Sequence, residues 1–61
     1  MRLITERKKA GLTQMQVAQA LGITDSAVNQ WEKGKTFPKT ELLPKLAKLY
    51  KCTVDDLLKE E

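Results

Sequence analysis

The sequence predicts an all-α fold of five short helices, because signals that end one helix and start the next recur along its 61 residues. The phrase Gly-apolar-Thr occurs at 11–13 and again at 22–24, followed four residues after each Thr by Val17 and by Val28. Glycine adopts the left-handed conformation that ends a helix, and threonine caps the free amides of the next one. The apolar residue before each Thr can pack on the following Val. Each phrase therefore marks a helix end and a helix start.

These boundaries place one helix at 13–21, a two-residue turn, and a second helix at 24–33. Thr13 has Gln16 three residues later, a pairing typical of a capping box at a helix start. Two short helices joined by a tight turn that contains glycine have the geometry of a helix-turn-helix. We therefore assign a helix-turn-helix to residues 13–33.

Three further helices follow from the same signals. Residues 2–10 form a first helix, which a glycine closes. Thr40 starts a fourth helix over 41–50, where a proline near the first turn is tolerated because the first turn needs no amide donor. Thr53 starts a fifth helix over 54–60, with aspartates in its first turn, where the helix dipole favours anions.

One loop and two bulky side chains complete the expected packing. Gly34 closes the third helix, and residues 35–39 form the one extended loop. We expect Phe37 to tuck under the domain while the loop lysines stay in water. Trp31 is expected to be largely buried between the first, third and fourth helices. Cys52, directly before a capping threonine, is either a third apolar packing residue or a reactive thiol.

Length and composition exclude most enzyme classes. Sixty-one residues make a single domain, 1–61, without room for an enzyme cleft of the usual kind. The chain has no histidine, one cysteine and no glycine-rich phosphate loop. No nucleophile and base can be paired. We therefore expect no enzymatic activity, no metal, no cofactor and no small-molecule ligand.

The charge is unevenly distributed. Residues 1–54 carry ten Lys/Arg and four Asp/Glu, whereas 55–61 carry one Lys and four Asp/Glu, which gives the net charge of +3. A basic body suits nucleic acid, although this charge also fits an ordinary solvated surface. No signal peptide precedes the domain, and no apolar run approaches the ~18 residues of a membrane span. With a single cysteine, a reducing compartment follows, and we expect a cytoplasmic protein.

The third helix carries the main candidate binding face. At ~100° per residue, Val28 and Trp31 lie on its apolar side. The opposite side carries a polar stripe: Asp25, Ser26, Asn29, Gln30 and Lys33. Ser, Asn and Asp are poorer helix formers than Glu, Lys or Gln, and such donor–acceptor side chains suit base edges in a major groove. Taken alone, these residues fit equally well an ordinary polar helix surface, on which Asp25 and Ser26 only favour the start of the helix.

Candidate phosphate contacts surround this stripe. Gln14 lies in the first turn of the second helix, beside free amides and the positive end of the dipole, where a phosphate is favoured. The loop brings Lys35 and Lys39 close to Lys33 in sequence, and together they can contact a DNA backbone. Met15 is an apolar residue at an exposed position, either an ordinary surface residue or a partner contact.

Two longer patterns identify a family. The run GLTQ-x-x-VA-x-x-LGIT-x-x-x-V-x-x-WE-x-G-x-x-x-P starts at Gly11, and L-x-x-LA-x-LY-x-x-T-x-DDLL follows from Leu43. Together they resemble the Cro/phage-repressor type of helix-turn-helix, or XRE family, from Leu3 to Leu58. The resemblance implies a compact five-helix, lambda-repressor-like DNA-binding domain. Its recognition helix, in the major groove, would be helix 24–33.

The resemblance also implies roles for single residues. The base-contacting residues would be Asp25, Ser26, Asn29 and Gln30. The DNA backbone contacts would be Gln14, Gln19, Lys33, Lys35 and Lys39. Gln14 would also support the recognition helix, and Arg7 of the first helix would pair with Glu32, beside Trp31.

Two residues depart from the family pattern. Glu6 stands where the family has a small or apolar residue, so the inner side of the first helix is expected to pack more loosely. Asp25 places an anion where DNA would approach. It either accepts from a cytosine amino group or only stabilises the helix start.

The function implied is a sequence-specific regulator of transcription that binds double-stranded DNA, with repression as the expected outcome. It would act alone or as a weak homodimer through apolar residues of the fourth and fifth helices. The alternative is a protein-interaction module, such as an antitoxin-like or adaptor domain. Met15 and the surplus of apolar residues on the fourth helix favour the alternative. Gln14, the polar stripe and the basic loop favour DNA.

Overall fold

The computed structural model describes residues 1–60, and over these residues it contains five α-helices and no strand. Glu61, counted above in the acidic end of the sequence and in the domain 1–61, lies outside the described residues. The helices are α1 (Leu3–Lys9), α2 (Gln14–Leu21), α3 (Asp25–Glu32), α4 (Leu43–Tyr50) and α5 (Val54–Leu58). The all-α class predicted from the sequence is confirmed.

The helix ends differ from the predicted ones by one or two residues. Thr13 and Thr24 are N-caps, so the helical residues begin one position later than predicted. The fourth helix starts at Thr40 as expected, but its first turn is a 3₁₀ turn, Thr40–Leu42, that leads into α4. The last helix ends at Leu58, because the backbone of the next residue is already extended.

Threonine side chains start three of the helices. Thr13 Oγ1 accepts from the backbone N–H of Gln16 (3.1 Å), and Gln16 Oε1 accepts from the Thr13 N–H (2.8 Å), which completes a capping box. Thr24 Oγ1 accepts from the N–H of Ala27 at 3.2 Å. Thr53 caps α5 in the same manner. Each bond satisfies an amide that the helix itself leaves unpaired.

Left-handed residues form the C-caps of α2 and α4. Gly22, the C-cap of α2, has φ 71°, a value that glycine adopts without strain. Its counterpart at the end of α4 is Lys51, with φ 58°. The sequence did not indicate this conformation, since the position carries a side chain that normally disfavours it.

Every α-helix contributes at least one nearly inaccessible side chain to the core, among them Leu3, Val17, Val28, Leu46 and Leu57. The apolar residues that precede the three capping threonines pack against this core and are partly buried. Because the threonines fix where each helix starts, they also fix which side of the helix meets the core. No helix within residues 1–60 is long and apolar enough to cross a membrane.

Cys52 is one of these packing residues. It lies against the core, and burial, followed by the negative charges of Glu6 and Asp56, raises the pKa of its thiol. A raised pKa disfavours the reactive thiolate. Of the two interpretations of Cys52, the structure supports apolar packing.

The expected burial of Phe37 is wrong. Its side chain is 73% exposed, and the neighbouring Pro38 is the loop residue that is buried. Trp31, which was expected to be largely buried, packs against the core but is only partly buried. Trp31 borders two open clefts, of about 260 and 470 Å³, one lined by Ile4 and the other by Leu42. Phe37 borders both clefts without closing either.

Glu6 is buried despite its charge. Its residue is 5% exposed, and it lines a cleft of about 310 Å³ between α1 and the start of α5. Arg2, Lys9 and Lys51 line the same cleft. Asp56 lines it as well, so Glu6 lies among charged groups of both signs at the edge of the core. The looser packing of α1 expected at this position stays a prediction.

Candidate nucleic-acid interface

The turn between α2 and α3 is fixed by backbone hydrogen bonds. The N–H of Gly22 donates to the carbonyl of Gln19 (3.3 Å), and the N–H of Ile23 donates to the carbonyl of Ala18 (3.0 Å). Ile23 also packs against the core. The two helices therefore meet at a defined angle, with no loop in which their relative orientation could vary.

A chain of side-chain hydrogen bonds then joins three helices, and we refer to Arg7, Glu32, Gln14 and Asn29 as the polar relay. Arg7 of α1 donates from Nε and Nη2 to the two carboxylate oxygens of Glu32 on α3, at 2.7 and 3.1 Å. Gln14, the first residue of α2, donates from Nε2 to Glu32 Oε1 at 2.9 Å. Asn29 of α3 donates from Nδ2 to Gln14 Oε1 at 3.2 Å.

The ion pair at one end of the relay is largely buried. The side chains of Arg7 and Glu32 are 13% and 4% exposed. The hydrogen bond to Glu32 raises the pKa of Arg7, while burial opposes the shift. Arg7 Nη1 also donates to the carbonyl of Leu12 at 2.9 Å. Arg7 therefore connects α1 both to α3 and to the residues that lead into α2.

Tyr50 of α4 lies close to this pair. Burial, followed by the negative charge of Glu32, raises the pKa of the Tyr50 phenol to about 12. The phenol is therefore neutral over the whole physiological range, and it places no charge beside the ion pair.

The structure exposes most of the polar stripe. Val28 on the opposite side of α3 is 1% exposed. The stripe residues in contact with solvent are Asp25, Ser26, Gln30 and Lys33. Asn29 differs from them, because it is partly buried and its amide is held by Gln14. Four of the five side chains can thus contact a partner, and the fifth, Asn29, is held by its hydrogen bond to Gln14.

The candidate backbone contacts also reach solvent. Gln19 is exposed on α2, and Lys33, Lys35 and Lys39 are exposed at and beyond the end of α3. Within residues 1–60 none of these lysines forms an ion pair. Gln14 is partly buried, with one Nε2–H used by Glu32 and a second left over. The three lysines therefore keep their full charge available to an anion.

Sequence reasoning missed the bond between Gln14 and Asn29. The resemblance implied that Gln14 supports the third helix, and the structure shows with which atoms: it contacts Asn29 and Glu32. Those two residues lie three positions apart on α3, a spacing that places them on one side of a helix. That spacing was the available signal that one side chain could bond both.

The fold and the polar relay together define a helix-turn-helix protein. The chain belongs to the Helix-turn-helix family, whose profile matches residues 3–57. This match confirms the family and the fold that the sequence predicted.

Several characterised regulators are similar to this chain. It is 38% identical over 55 residues to the HTH-type transcriptional activator BcrR of Enterococcus faecalis. The matched segment is 90% of this chain and 27% of that protein. It is 36% identical over 58 residues to the repressor protein C2 of Salmonella phage P22, covering 95% and 27%. It is 39% identical over 57 residues to the HTH-type transcriptional regulator ImmR of Bacillus subtilis, covering 93% and 45%. The chain thus spans less than half the length of these relatives. No solved structure matches it.

Proposed function

We propose that this chain is a sequence-specific DNA-binding domain that regulates transcription, with residues 1–61 as a single domain and residues 13–33 as its helix-turn-helix. The observation that carries the proposal is the exposed polar stripe on α3, held from behind by the polar relay. A helix that reads bases needs polar side chains in solvent and a rigid attachment to the rest of the protein. The relay supplies that attachment from two other helices.

In this proposal α3 enters the major groove of double-stranded DNA. The base-contacting side chains are Asp25, Ser26, Asn29 and Gln30. Gln30 is exposed and carries both a donor and an acceptor, so it can make two hydrogen bonds to adenine. Asp25 is exposed at the first helical position, where it can accept from a cytosine amino group.

The phosphate contacts come from both sides of α3. They are Gln14 and Gln19 on α2, and Lys33, Lys35 and Lys39 at and beyond the end of α3. The free Nε2–H of Gln14 lies at the start of a helix, where unpaired backbone amides also favour an anion. The lysines add attraction that does not depend on base sequence.

Repression is the regulatory outcome that we propose. The relative from phage P22 is named a repressor, as is the RstR protein of Vibrio cholerae, which is 34% identical over 56 residues. BcrR is named an activator, so the sign of regulation differs among the relatives. A reporter gene placed behind the preferred DNA site tests the outcome: expression should fall when the protein is present, and a rise would indicate activation.

The site of action follows from the target, and we place the protein in the cytoplasm of a bacterial or phage-infected cell.

Only the DNA and a second copy of the chain are proposed as partners. A weak homodimer would use apolar residues of the fourth and fifth helices, of which Leu58 is 49% exposed. On DNA, two half-sites should then lie about 34 Å apart. A footprint of one half-site, with one protein per duplex at saturation, would contradict the dimer.

A protein-interaction module is the second candidate function. The observations that favour it are Met15 and Phe37, which are 58% and 73% exposed. Exposed apolar side chains of this size can contact a partner protein. The substitutions Met15→Lys and Phe37→Lys should leave DNA binding intact if DNA is the partner, or strengthen it slightly through the added charge.

Selection of bound sequences from random double-stranded DNA tests the main proposal directly. We expect one preferred sequence to emerge, and the parent protein to bind it at least about 1,000-fold more tightly than random DNA, within the usual range for specific regulators. The absence of any enriched sequence would contradict the proposal and favour the protein-interaction module.

A further inference from the structure

In the polar relay, the Glu32 carboxylate at the charged end determines which atom of each further bond donates and which accepts. A carboxylate only accepts hydrogen bonds, so Gln14 must present its Nε2 to Glu32, as the distance of 2.9 Å shows. The Oε1 of Gln14 is left on the side of Asn29. Because Oε1 is an acceptor, Asn29 must in turn present its Nδ2, and it does so at 3.2 Å.

The orientation of the Asn29 amide is thus set by Gln14, to which it is hydrogen-bonded, and through Gln14 by Glu32. A free asparagine amide can rotate by 180° and exchange its donor for its acceptor. Here the bond to Gln14 holds Nδ2 in place. Oδ1 accepts no hydrogen bond from any side chain or amide within residues 1–60, and the neighbouring Ser26, Gln30 and Lys33 are exposed. Asn29 therefore offers a free acceptor on the polar side of α3.

We infer that the polar relay sets the class of base that Asn29 contacts, an inference that rests on the proposed DNA-binding function. A free Oδ1 matches a base with an exocyclic amino group in the major groove, the N6 of adenine or the N4 of cytosine. Guanine and thymine present O6 and O4, which are acceptors, so a base that faces Oδ1 cannot be either of them without an unfavourable contact. The second Nδ2–H of Asn29 stays available, but the bond to Gln14 fixes which side of the amide carries the acceptor. Gln14 and Glu32 act through Asn29, and they are therefore positioning residues.

The first step of the test finds the base pair concerned. Each base pair of the selected site is replaced in turn by the other three, and the affinity of every duplex is measured. Asn29→Ala should remove the preference at one base pair, which in the parent carries adenine or cytosine on the contacted strand. Gln30→Ala is the matched control, because it removes an amide from the same helix and should affect a different base pair.

The second step breaks the relay without touching Asn29. Gln14→Met removes the bond to Asn29 but leaves Glu32 both of its bonds to Arg7, so no unpaired charge is buried. The Asn29 amide can then rotate and donate to guanine or thymine. At the base pair found with Asn29→Ala, discrimination against those bases should fall on the order of 3- to 10-fold, the worth of one neutral hydrogen bond.

Lost phosphate binding by Gln14 would give a different result. It lowers the affinity of all duplexes by the same factor and leaves their ratios unchanged. Unchanged ratios in Gln14→Met would therefore overturn the inference, as would a parent that prefers guanine or thymine at this base pair. A parent without any sequence preference would contradict the proposed function instead, so the two failures are distinguishable.

A measurement on the free protein tests the relay without DNA. The side-chain NH₂ of Asn29 should give NMR signals displaced by its hydrogen bond, and Gln14→Met should shift them toward those of an exposed amide such as that of Gln19. Asn29 signals that already match an exposed amide in the parent would overturn the inference. The same spectra show whether the variant is folded.

Discussion

Arg7 and Glu32 join α1 to α3 through two parallel hydrogen bonds, at 2.7 and 3.1 Å, with side chains that are only 13% and 4% exposed. Exposed ion pairs contribute ~0–1 kcal/mol to stability. In a largely buried pair, by contrast, removal of one partner leaves the other charge desolvated, at a cost of ~3–5 kcal/mol. The pair therefore has more influence on stability than a surface pair of the same geometry.

A double-mutant cycle measures this influence. Arg7→Met and Glu32→Gln, singly and together, should give a coupling free energy above ~1 kcal/mol in chemical denaturation, because each single variant leaves one unmatched group behind. A stabilising osmolyte keeps the single variants folded enough to measure. Coupling indistinguishable from zero would mean that water satisfies both side chains.

Trp31 supplies a second test, since it is the single tryptophan of the chain. Because Trp31 is partly buried and borders two open clefts, acrylamide should quench its fluorescence in the folded protein. The quenching constant should lie between those of the unfolded chain and of a fully buried tryptophan. Complete protection from quenching would show that the loop around Phe37 closes over the ring in solution.

Lys51 offers a stabilising substitution. Its φ of 58° is costly for a residue with a side chain, and Lys51 is exposed. Lys51→Gly should therefore raise the free energy of unfolding by ~0.5–1 kcal/mol, less the entropy that glycine adds to the unfolded chain. The matched control is Gly22→Ala, which introduces the same strain at the end of α2, with no atom within 4 Å of the new Cβ.

The two substitutions should change stability in opposite directions in thermal or urea denaturation. A loss of stability in Lys51→Gly would mean that the lysine side chain makes a contact worth more than the backbone strain. An unchanged Gly22→Ala would show that the turn between α2 and α3 can adjust its backbone.

These two positions also show how far the sequence alone could go. Gly22 and the capping threonines Thr13 and Thr24 determine their own local conformation, so the helix boundaries followed from residue type. Lys51 could not be predicted, because its conformation is imposed by packing: the next residue, Cys52, donates its N–H to the carbonyl of Ala47 and lies against the core.

The candidate site likewise has some features that the sequence predicted and others that it could not predict. Helical periodicity indicated which residues of α3 face outward, and Gln30 and Lys33 are exposed as expected. Periodicity within one helix says nothing about a neighbouring helix, so the bond from Asn29 to Gln14 could not be derived. The fate of Phe37 was equally undetermined, because the loop could bury either of two adjacent apolar residues, and it buries Pro38.

Asp56 links stability to acid pH. Its carboxylate accepts from the N–H of Thr53 at 3.1 Å, and that bond is the main cause that lowers the pKa of Asp56. A lowered pKa in the folded state gives a stabilisation that is present above the ordinary carboxyl pKa and is lost as pH falls through the folded value. Stability should thus decline below about pH 4.

Asp56→Asn keeps an acceptor for the Thr53 N–H but removes the ionisation. The free energy of unfolding should therefore fall less steeply between about pH 4 and pH 2 in this variant than in the parent. Asp55→Asn, at the adjacent position outside the capping box, is the control. Identical acid slopes for the parent and Asp56→Asn would show that the capping bond does not distinguish the two charge states.

The salt dependence of DNA binding tests the central claim, that α3 contacts bases while the following loop contacts phosphates. The parent, Gln30→Ala and Lys35→Ala are each titrated with salt on the preferred duplex and on a random one. Gln30→Ala should cost ~1–3 kcal/mol on the preferred duplex and little on the random one. Lys35→Ala should weaken both duplexes alike and reduce the slope of log affinity against log salt by about one. Equal affinity of the parent for both duplexes, with the two variants losing affinity in the same way, would contradict the account.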